Sequence, residues 1–367
     1  MAVEECGTPG VAVGARMPAV RACARVCMVA VAVLLCAVWL APGALADTAT
    51  EHYERGVSLK RSGNLDGAIA EYREALKLKV KFPEAHNSLG NALLERGDPA
   101  GAAAEYREAI RQMPKWAEAH YNLAIALRRG GDSDGAVAEY RAALGLKKDY
   151  PEAHNNLGFA LWVRGDVDGA IEEYKRALRA RADYPEAHNN LGLAFQAKGN
   201  LNGAMAEFRE AIRQRIDYPE AHFNLGSALR DNGELDEACD EFRDAIAARA
   251  NYPEAINGLG ITLYMKKDLA GAEREYREAA RMRPNYAEAH NNLGIALRDQ
   301  SRLDEAIAEF RAAIAVRDGY ALAHLNLSAA LRRKNDADGA EAELRRACAV
   351  DTKVSAECGP GSEDLKI

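Results

Sequence analysis

One sequence feature constrains the fold of this chain more than any other. A pattern of side chains recurs every 34 residues, which is the spacing from His52 to His86. Every spacing between its eight histidines is this interval or twice this interval. The histidines are His52, His86, His120, His154, His188, His222, His290 and His324. Ile256 stands in register where the doubled gap omits a histidine. Because unrelated sequence does not keep one interval over such a length, the chain consists of internal repeats.

Nine repeats of equal length cover residues 49–354, and we number the positions within each repeat from 1 to 34. The repeats are 49–82, 83–116, 117–150, 151–184, 185–218, 219–252, 253–286, 287–320 and 321–354. Positions 20 and 27 are Ala in all nine, and position 24 is Tyr or Phe in eight. A short tail, residues 355–367, follows.

The spacing of the apolar positions predicts two helices in each repeat. Positions 4, 7, 8 and 11 form one stripe at helical spacing, and positions 20, 24, 27 and 28 form another. Between them lie turns such as Arg96-Gly97-Asp98, in which Gly is suited to a left-handed helix end and Asp to the N-cap of the next helix. We therefore expect an all-α fold of nine antiparallel helix pairs, in which the small residues let the helices approach closely.

Residues 1–46 differ from the repeats and predict an export signal. Arginines come before an uncharged run over residues 26–46, and this run ends in a small-x-small pattern at Ala46. That arrangement is typical of a signal peptide cleaved after Ala46. An uncleaved membrane anchor is the alternative, since about 20 apolar residues can span a bilayer. Both interpretations place residues 47 onward outside the cytoplasm, as a periplasmic, secreted or membrane-anchored protein.

Composition and motifs exclude several classes of function. The chain has 48 basic and 55 acidic residues, a net charge of −7 and no basic block, which argues against nucleic-acid binding. It contains no H-E-x-x-H, G-x-S-x-G, P-loop or dinucleotide motif. Histidines one repeat apart cannot all lie about 2 Å from one zinc ion. The sequence therefore predicts no catalytic residue, no metal site and no cofactor.

With these residues the chain resembles the tetratricopeptide repeat proteins. The resemblance implies a right-handed superhelical solenoid whose concave groove binds a protein or an extended peptide. The first and last repeats depart from the pattern, with Arg55 at position 7 and with Ser328 and Leu344 at positions 8 and 24. Strings such as EAHNNLGIALR are most similar to the repeats of O-linked N-acetylglucosamine transferases.

Candidate binding residues lie on the face of the first helix that is opposite its packing stripe. Position 6 carries a row of amides, Asn122, Asn156, Asn190, Asn224, Asn292 and Asn326. An amide both donates and accepts, so a row of them can hold the backbone of an extended peptide. Position 12 adds Arg128, Trp162, Arg230, Tyr264 and Arg298, which are typical interface residues. The alternative is that the amides bond only locally.

Position 23 is Glu and position 25 is Arg or Lys in all nine repeats. We interpret these charges as a solvated outer face with ion pairs between neighbouring second helices. A charged binding stripe is the alternative.

The favoured function is an exported, non-catalytic scaffold that binds a protein or extended peptide, with membrane contact only if the N-terminal segment is not cleaved. One alternative is a substrate-recognition subunit that works with a separate glycosyltransferase, since the tail over residues 355–367 is too short for a transferase domain. Another is a structural spacer in an envelope assembly.

Overall fold

A computed structural model describes residues 42–350, and throughout this range the regular structure is helical, with 18 α-helices and no strand. In chain order the helices are α1 Pro42–Arg61, α2 Leu65–Leu78, α3 Pro83–Glu95, α4 Pro99–Gln112, α5 Ala117–Arg129, α6 Ser133–Leu146, α7 Pro151–Val163, α8 Val167–Ala180, α9 Pro185–Ala197, α10 Leu201–Gln214, α11 Pro219–Asn232, α12 Leu235–Ala248, α13 Pro253–Met265, α14 Leu269–Met282, α15 Ala287–Asp299, α16 Leu303–Val316, α17 Ala321–Arg333 and α18 Ala337–Val350. Each repeat holds one odd-numbered and one even-numbered helix, called here its first and second helix. The expected all-α fold of nine helix pairs is confirmed.

The helices divide between two compact bodies, with the boundary between Glu139 and Tyr140 inside α6. In the N-terminal body, the fully buried rings of Tyr72 and Tyr106 fill position 24. A Cβ added at Gly90, at position 8, would lie 2.6 Å from the ring of Tyr106. Position 8 is therefore small because the aromatic ring of the second helix lies directly against the backbone of the first.

The C-terminal body repeats the same packing from α7 to α18. Phe208, Phe242 and Phe310 are fully buried and belong to one continuous apolar core. A Cβ added at Gly192 would lie 2.5 Å from the ring of Phe208. In the seven repeats with glycine at position 8, the absence of a side chain there lets the first helix lie directly against the aromatic ring of the second helix.

The turns within the repeats follow the predicted chemistry in most of the chain. Gly97 has a φ of +89°, and the Asp98 carboxylate accepts the Gly101 N–H at 2.9 Å to cap the second helix. The last three repeats differ, because Lys267, Ser301 and Asn335 adopt left-handed φ values of 67°, 62° and 64°. Residues other than Gly, Asn and Asp rarely adopt this conformation, so the turns at Lys267 and Ser301 carry backbone strain.

The predicted signal segment lies outside the described residues, apart from the start of α1, and the C-terminal tail lies outside them as well. Between residues 42 and 350 no helix combines the length and the apolar character that crossing a membrane requires.

Candidate functional site

The amides at position 6 form hydrogen bonds from one repeat to the next. The Nδ2 atom of Asn190 donates to Oδ1 of Asn155 at 3.0 Å, and that of Asn224 donates to Oδ1 of Asn189 at 2.9 Å. The same bond joins Asn122 to Asn87 at 3.0 Å, Asn292 to Asn257 at 3.1 Å and Asn326 to Asn291 at 3.0 Å. Each bond links position 6 to position 5 of the preceding repeat. The amides therefore do bond locally, through one of their N–H groups.

Burial separates the two members of each amide pair. Asn155 and Asn189, at position 5, are buried, whereas Asn190 and Asn224, at position 6, are half-buried. An amide has two N–H donors and one oxygen acceptor, and the bond between repeats occupies a single donor. The half-buried member thus retains donor and acceptor capacity while the buried member holds its position. Asn156 is half-buried at the same position of α7, and Asn326 is the one member of the row that is buried.

Two of the position-12 side chains bear aromatic rings on the first-helix face. Trp162 is half-buried, and its ring meets that of Phe159 edge to face with 6.3 Å between centroids. The Tyr264 hydroxyl donates to the Asp299 carboxylate at 2.5 Å. Burial, reinforced by that carboxylate, raises the pKa of Tyr264 to about 12. Both rings therefore combine an apolar surface with a fixed orientation.

The arginines predicted at position 12 have unequal exposure. Arg128 and Arg230 are half-buried, and Arg230 pairs with its neighbour Asp231 at 3.0 Å. Arg298 is only 7% exposed, and its guanidinium donates to Oδ1 of Asn326 at 3.3 Å. Arg298 and Asn326 therefore bond to each other within the C-terminal body and present less surface than the other members of their rows.

Partly buried apolar side chains lie between the polar rows on the first helices of the C-terminal body. Leu193, Ile261 and Ile295, all at position 9, pack against the edge of its core. Phe195, at position 11 in the packing stripe of α9, packs against the same core, and its ring centroid lies 5.8 Å from the ammonium group of Lys175. The first-helix face thus combines amides, aromatic rings and aliphatic surface, which is the composition of a protein interface.

The histidines form a second regular arrangement, which pairs each of them with the position-23 glutamate of its own repeat. All eight have Nδ1 within 2.6–2.7 Å of that carboxylate. In six of them Nε2 lies 2.9–3.2 Å from a backbone carbonyl oxygen six residues earlier. Because acceptors face both ring nitrogens, the imidazolium form of these rings satisfies both contacts. The hydrogen bond to Glu309 raises the pKa of His290, although burial opposes it.

This arrangement corrects the interpretation of position 23 as part of a solvated outer face. Glu173 is only 8% exposed, and it bonds to His154 inside its own repeat. Ion pairs between neighbouring second helices do occur through position 25, as between Arg209 and Glu237 at 2.8 Å. The constant offset from position 4 to position 23 was visible in the sequence and was the signal for this pairing.

One group in the described range has potential metal ligands close together, namely His222, Glu241 and Asp244, with ligand atoms within 4.8 Å of one another. Nδ1 of His222 already bonds to Glu241 at 2.7 Å, and Nε2 bonds to the carbonyl of Ile216 at 2.9 Å. The group is therefore one more member of the histidine–glutamate arrangement.

Family models describe the same repeats. Models of the tetratricopeptide repeat match residues 53–116, 89–154, 151–174, 189–255, 223–287, 257–319 and 291–360, and a model of the TPR repeat matches residues 164–199. A comparison with curated proteins gave no match.

Solved structures that match this chain include the following three. The structure described as YrrB, a TPR protein with an unusual peptide-binding site, has 24% identity and a TM-score of 0.45, covering 51% of this chain and 96% of its own. Pseudomonas aeruginosa pilF has 21% identity and a TM-score of 0.51, covering 56% and 94%. The APC/C hetero-tetramer Cut9–Hcn1 has 15% identity and a TM-score of 0.53, covering 83% and 73%.

The matches to pilF and to Cut9–Hcn1 show the fold alone, and these comparisons do not show the similarity to O-linked N-acetylglucosamine transferase repeats. The family models, in contrast, match well over half of the chain. Proteins of this kind are scaffold-like, which supports protein–protein interaction as a general role. On these matches, and on its helix pairs, the chain belongs to the tetratricopeptide repeat family.

Proposed function

We propose that the protein is a non-catalytic scaffold that binds an extended segment of a partner protein on its first-helix face. The observation that carries the proposal is the row of half-buried position-6 amides, four of which, Asn122, Asn190, Asn224 and Asn292, are held by a hydrogen bond to the preceding repeat. The predicted residues Asn122, Asn156, Asn190, Asn224 and Asn292 are its polar contacts.

The bonds between repeats support binding because they fix the amides before a ligand arrives. The Asn190 and Asn224 side chains are each fixed by a bond of 2.9–3.0 Å to a buried amide. Side chains that are already ordered lose little conformational entropy on binding, so more of the contact energy appears as affinity. Backbone groups of an extended peptide offer one donor and one acceptor per residue, and the amides match this alternation.

Specificity for the partner's side chains comes from the apolar and charged groups beside the amides. Trp162, Leu193 and Ile261 offer partly exposed apolar surface, and Arg128 and Arg230 supply positive charge. Trp and Arg are the residue types most often found where truncation weakens a protein complex. The ligand class that fits is an extended peptide with apolar side chains at intervals and some acidic residues.

A matched pair of double variants separates ligand binding from packing. Asn190→Ala with Asn224→Ala removes the half-buried amides, and Asn155→Ala with Asn189→Ala breaks the same two hydrogen bonds from the buried side. The probe is a peptide selected on the wild-type protein by phage display, and its affinity is measured by fluorescence anisotropy. We expect the first variant to weaken binding roughly tenfold, a loss of about 1.4 kcal/mol.

The buried-side variant is expected to lower the melting temperature similarly but to weaken peptide binding clearly less, because it frees the half-buried amides without removing them. Equal loss of affinity in both double variants would assign the amides a packing role only. Unchanged affinity in both would place the peptide elsewhere.

We also propose that the protein acts outside the cytoplasm. The support is the apolar run of residues 26–46 after several arginines, ending in a cleavage pattern at Ala46. N-terminal sequencing of the protein from the envelope and soluble exported fractions tests this. The expected mature terminus is Asp47, and an unprocessed chain recovered with the cytosol would contradict it.

A further inference from the structure

The second helices of repeats three and four border a cleft that the sequence analysis did not identify. Its volume is about 680 Å³. The lining residues that matter are Arg141, Lys148, Arg176 and Arg179 together with Leu144 and Leu157, and we call the site the basic cleft. It lies entirely within the C-terminal body. Its residues lie on the second helices α6 and α8, in the loop between α6 and α7, and at positions 4 and 7 of α7, so it is distinct from the binding face proposed above.

Positive charge exceeds negative charge in the basic cleft. All four of its Arg and Lys side chains are exposed, whereas the carboxylates that line it are Glu173 and Asp149. Glu173 accepts hydrogen bonds from His154 at 2.6 Å and from Arg176 at 2.7 Å, so its charge is already compensated. Among the described residues, Arg141, Lys148 and Arg179 have no ion-pair partner. This local excess is opposite in sign to the net charge of −7.

Comparison with other repeats shows how the sequence produces the positive charge. Position 26 is Glu in repeats two, five and seven, where it pairs with an Arg three residues later, as Glu210 does with Arg213 at 2.5 Å. In repeat four, position 26 is Arg176, so Arg179 loses the partner that its equivalents have. Arg in place of Glu at position 26 therefore adds one positive charge and also leaves Arg179 without the carboxylate that pairs with its equivalents.

A second departure from the pattern widens the cleft. Position 29 is Arg or Lys in five repeats but Gly145 in repeat three. No atom lies within 4 Å of the point where a Cβ of Gly145 would stand. In the adjacent cleft, between repeats four and five, Glu207 and Glu210 balance Lys175 and Arg179, and the volume is smaller, about 430 Å³. The basic cleft is thus larger and more positive than its neighbour in the same array.

We propose that the basic cleft is a docking site for an acidic segment of a partner protein, in which carboxylates flank an apolar side chain. The exposed Arg and Lys side chains complement the carboxylates, and Arg offers bidentate hydrogen bonds to them. Leu144 and Leu157 provide an apolar floor that a bare inorganic anion would leave unfilled. The volume falls within the roughly 300–1,000 Å³ that ligand sites occupy. The protein then has two docking surfaces on opposite helices of its repeats.

The test measures binding of a fluorescein-labelled peptide in which Glu residues flank a single Leu, with a Gln-for-Glu peptide as the uncharged probe. The decisive variant is Arg176→Glu, which gives repeat four the position-26 residue of repeat five and restores a partner for Arg179. The fold therefore has a precedent for this change in its own sequence. We expect the acidic peptide to bind Arg176→Glu at least about tenfold more weakly than wild type.

Two further variants form a matched control at position 25. Arg141 and Arg311 are both exposed at this position, but only Arg141 lines the basic cleft. Arg141→Glu is expected to weaken peptide binding about as much as Arg176→Glu, whereas Arg311→Glu, with the same change in net charge, is expected to leave the affinity within about twofold of wild type. Melting curves of all three verify that the fold is intact.

Several outcomes would overturn the proposal. Equal affinity for the Glu and Gln peptides would show that charge is not recognised. Equal loss in the Arg141→Glu and Arg311→Glu variants would show attraction to the whole surface rather than to the cleft. Citrate that binds as tightly as the acidic peptide, with the same dependence on Arg176, would show a small-anion site in place of a peptide site.

Discussion

Repeats seven and eight are neighbours with the same packing residues but different polar interactions. Both have Ala at positions 20 and 27 and a buried aromatic ring at position 24, Tyr276 in one and Phe310 in the other. Repeat eight pairs His290 with Glu309, whereas repeat seven has Ile256 at that position, buried against Ala279, Ala280 and Ala289. An ion-paired histidine and an aliphatic side chain thus fill the same place.

The amide row shows the same contrast and has a steric cause. Asn292 of repeat eight bonds to Asn257 of repeat seven, but repeat seven itself has Gly258 at position 6. A Cβ at Gly258 would lie 2.7 Å from the ring of Phe242, whereas one at Gly226 would lie 3.2 Å from it. The Phe242 ring of repeat six therefore leans toward repeat seven and leaves no room for an amide there. The small and aromatic positions determine the fold, while the polar positions vary within it.

The largest change in stability is expected at a packing position where repeats seven and eight have the same residue. Ala306, at position 20 of repeat eight, is fully buried. Ala306→Leu inserts three carbon atoms into a packed seam and should lower the free energy of unfolding by about 1–3 kcal/mol. Ala308→Leu, two residues along the same helix at an exposed position, is the control and should stay within about 0.5 kcal/mol. Urea denaturation that gave equal midpoints for the two variants would contradict the packing described here.

The next largest loss of stability is expected from removing the hydrogen bond between side-chain amides that joins the two repeats. Asn292→Ala removes the donor to Asn257, whose side chain is buried, and should cost about 1–2 kcal/mol of stability. A double-mutant cycle with Asn257→Ala measures the coupling between the two side chains. A coupling free energy near zero would show that the bond adds nothing to the contact between repeats.

A smaller effect of opposite sign is expected at the turn of repeat eight. Ser301 has a φ of +62°, where glycine is favoured, and the first six repeats have glycine at this position. Ser301→Gly should raise the free energy of unfolding by up to about 1 kcal/mol, since the left-handed region costs a non-glycine residue about that much. The control is Ser133→Gly, at the first residue of a helix, which should destabilise. Loss of stability in Ser301→Gly would contradict the strain assigned to this turn.

The smallest effect expected is a change in pH dependence. The hydrogen bond to Glu309, against the opposing effect of burial, raises the pKa of His290 above its ordinary value of 6.5. The folded protein then binds this proton more tightly than the unfolded chain, so the stabilisation is complete below pH 6.5 and is lost as the pH rises through the folded pKa. His290→Ile copies repeat seven and should reduce the decline of the melting temperature above pH 6.5. An unchanged pH profile would show that His290 is not protonated in the folded protein.

The fold could be predicted from sequence because its determinants recur at fixed positions. The packing positions 20, 8 and 24 are occupied in repeat eight by Ala306, Gly294 and Phe310. Because the same residue types recur at these positions in most repeats, the sequence alone predicts their roles. The partners of the polar side chains were harder to predict. The bond from Asn190 to Asn155 joins different positions of adjacent repeats and depends on the relative offset of their first helices, which a period alone does not give. The basic cleft arises from two residues that differ from the consensus of the repeats, Gly145 and Arg176. A consensus pattern does not contain such single differences.

Hydrogen–deuterium exchange with and without the phage-selected peptide tests the central claim most directly, because it locates the bound segment on the repeats. The account predicts slower exchange in the first helices α7, α9 and α11, which carry Asn156, Asn190 and Asn224, with no change in the second helices α8, α10 and α12. Protection confined to the second helices, or no protection at saturating peptide, would contradict binding on the first-helix face.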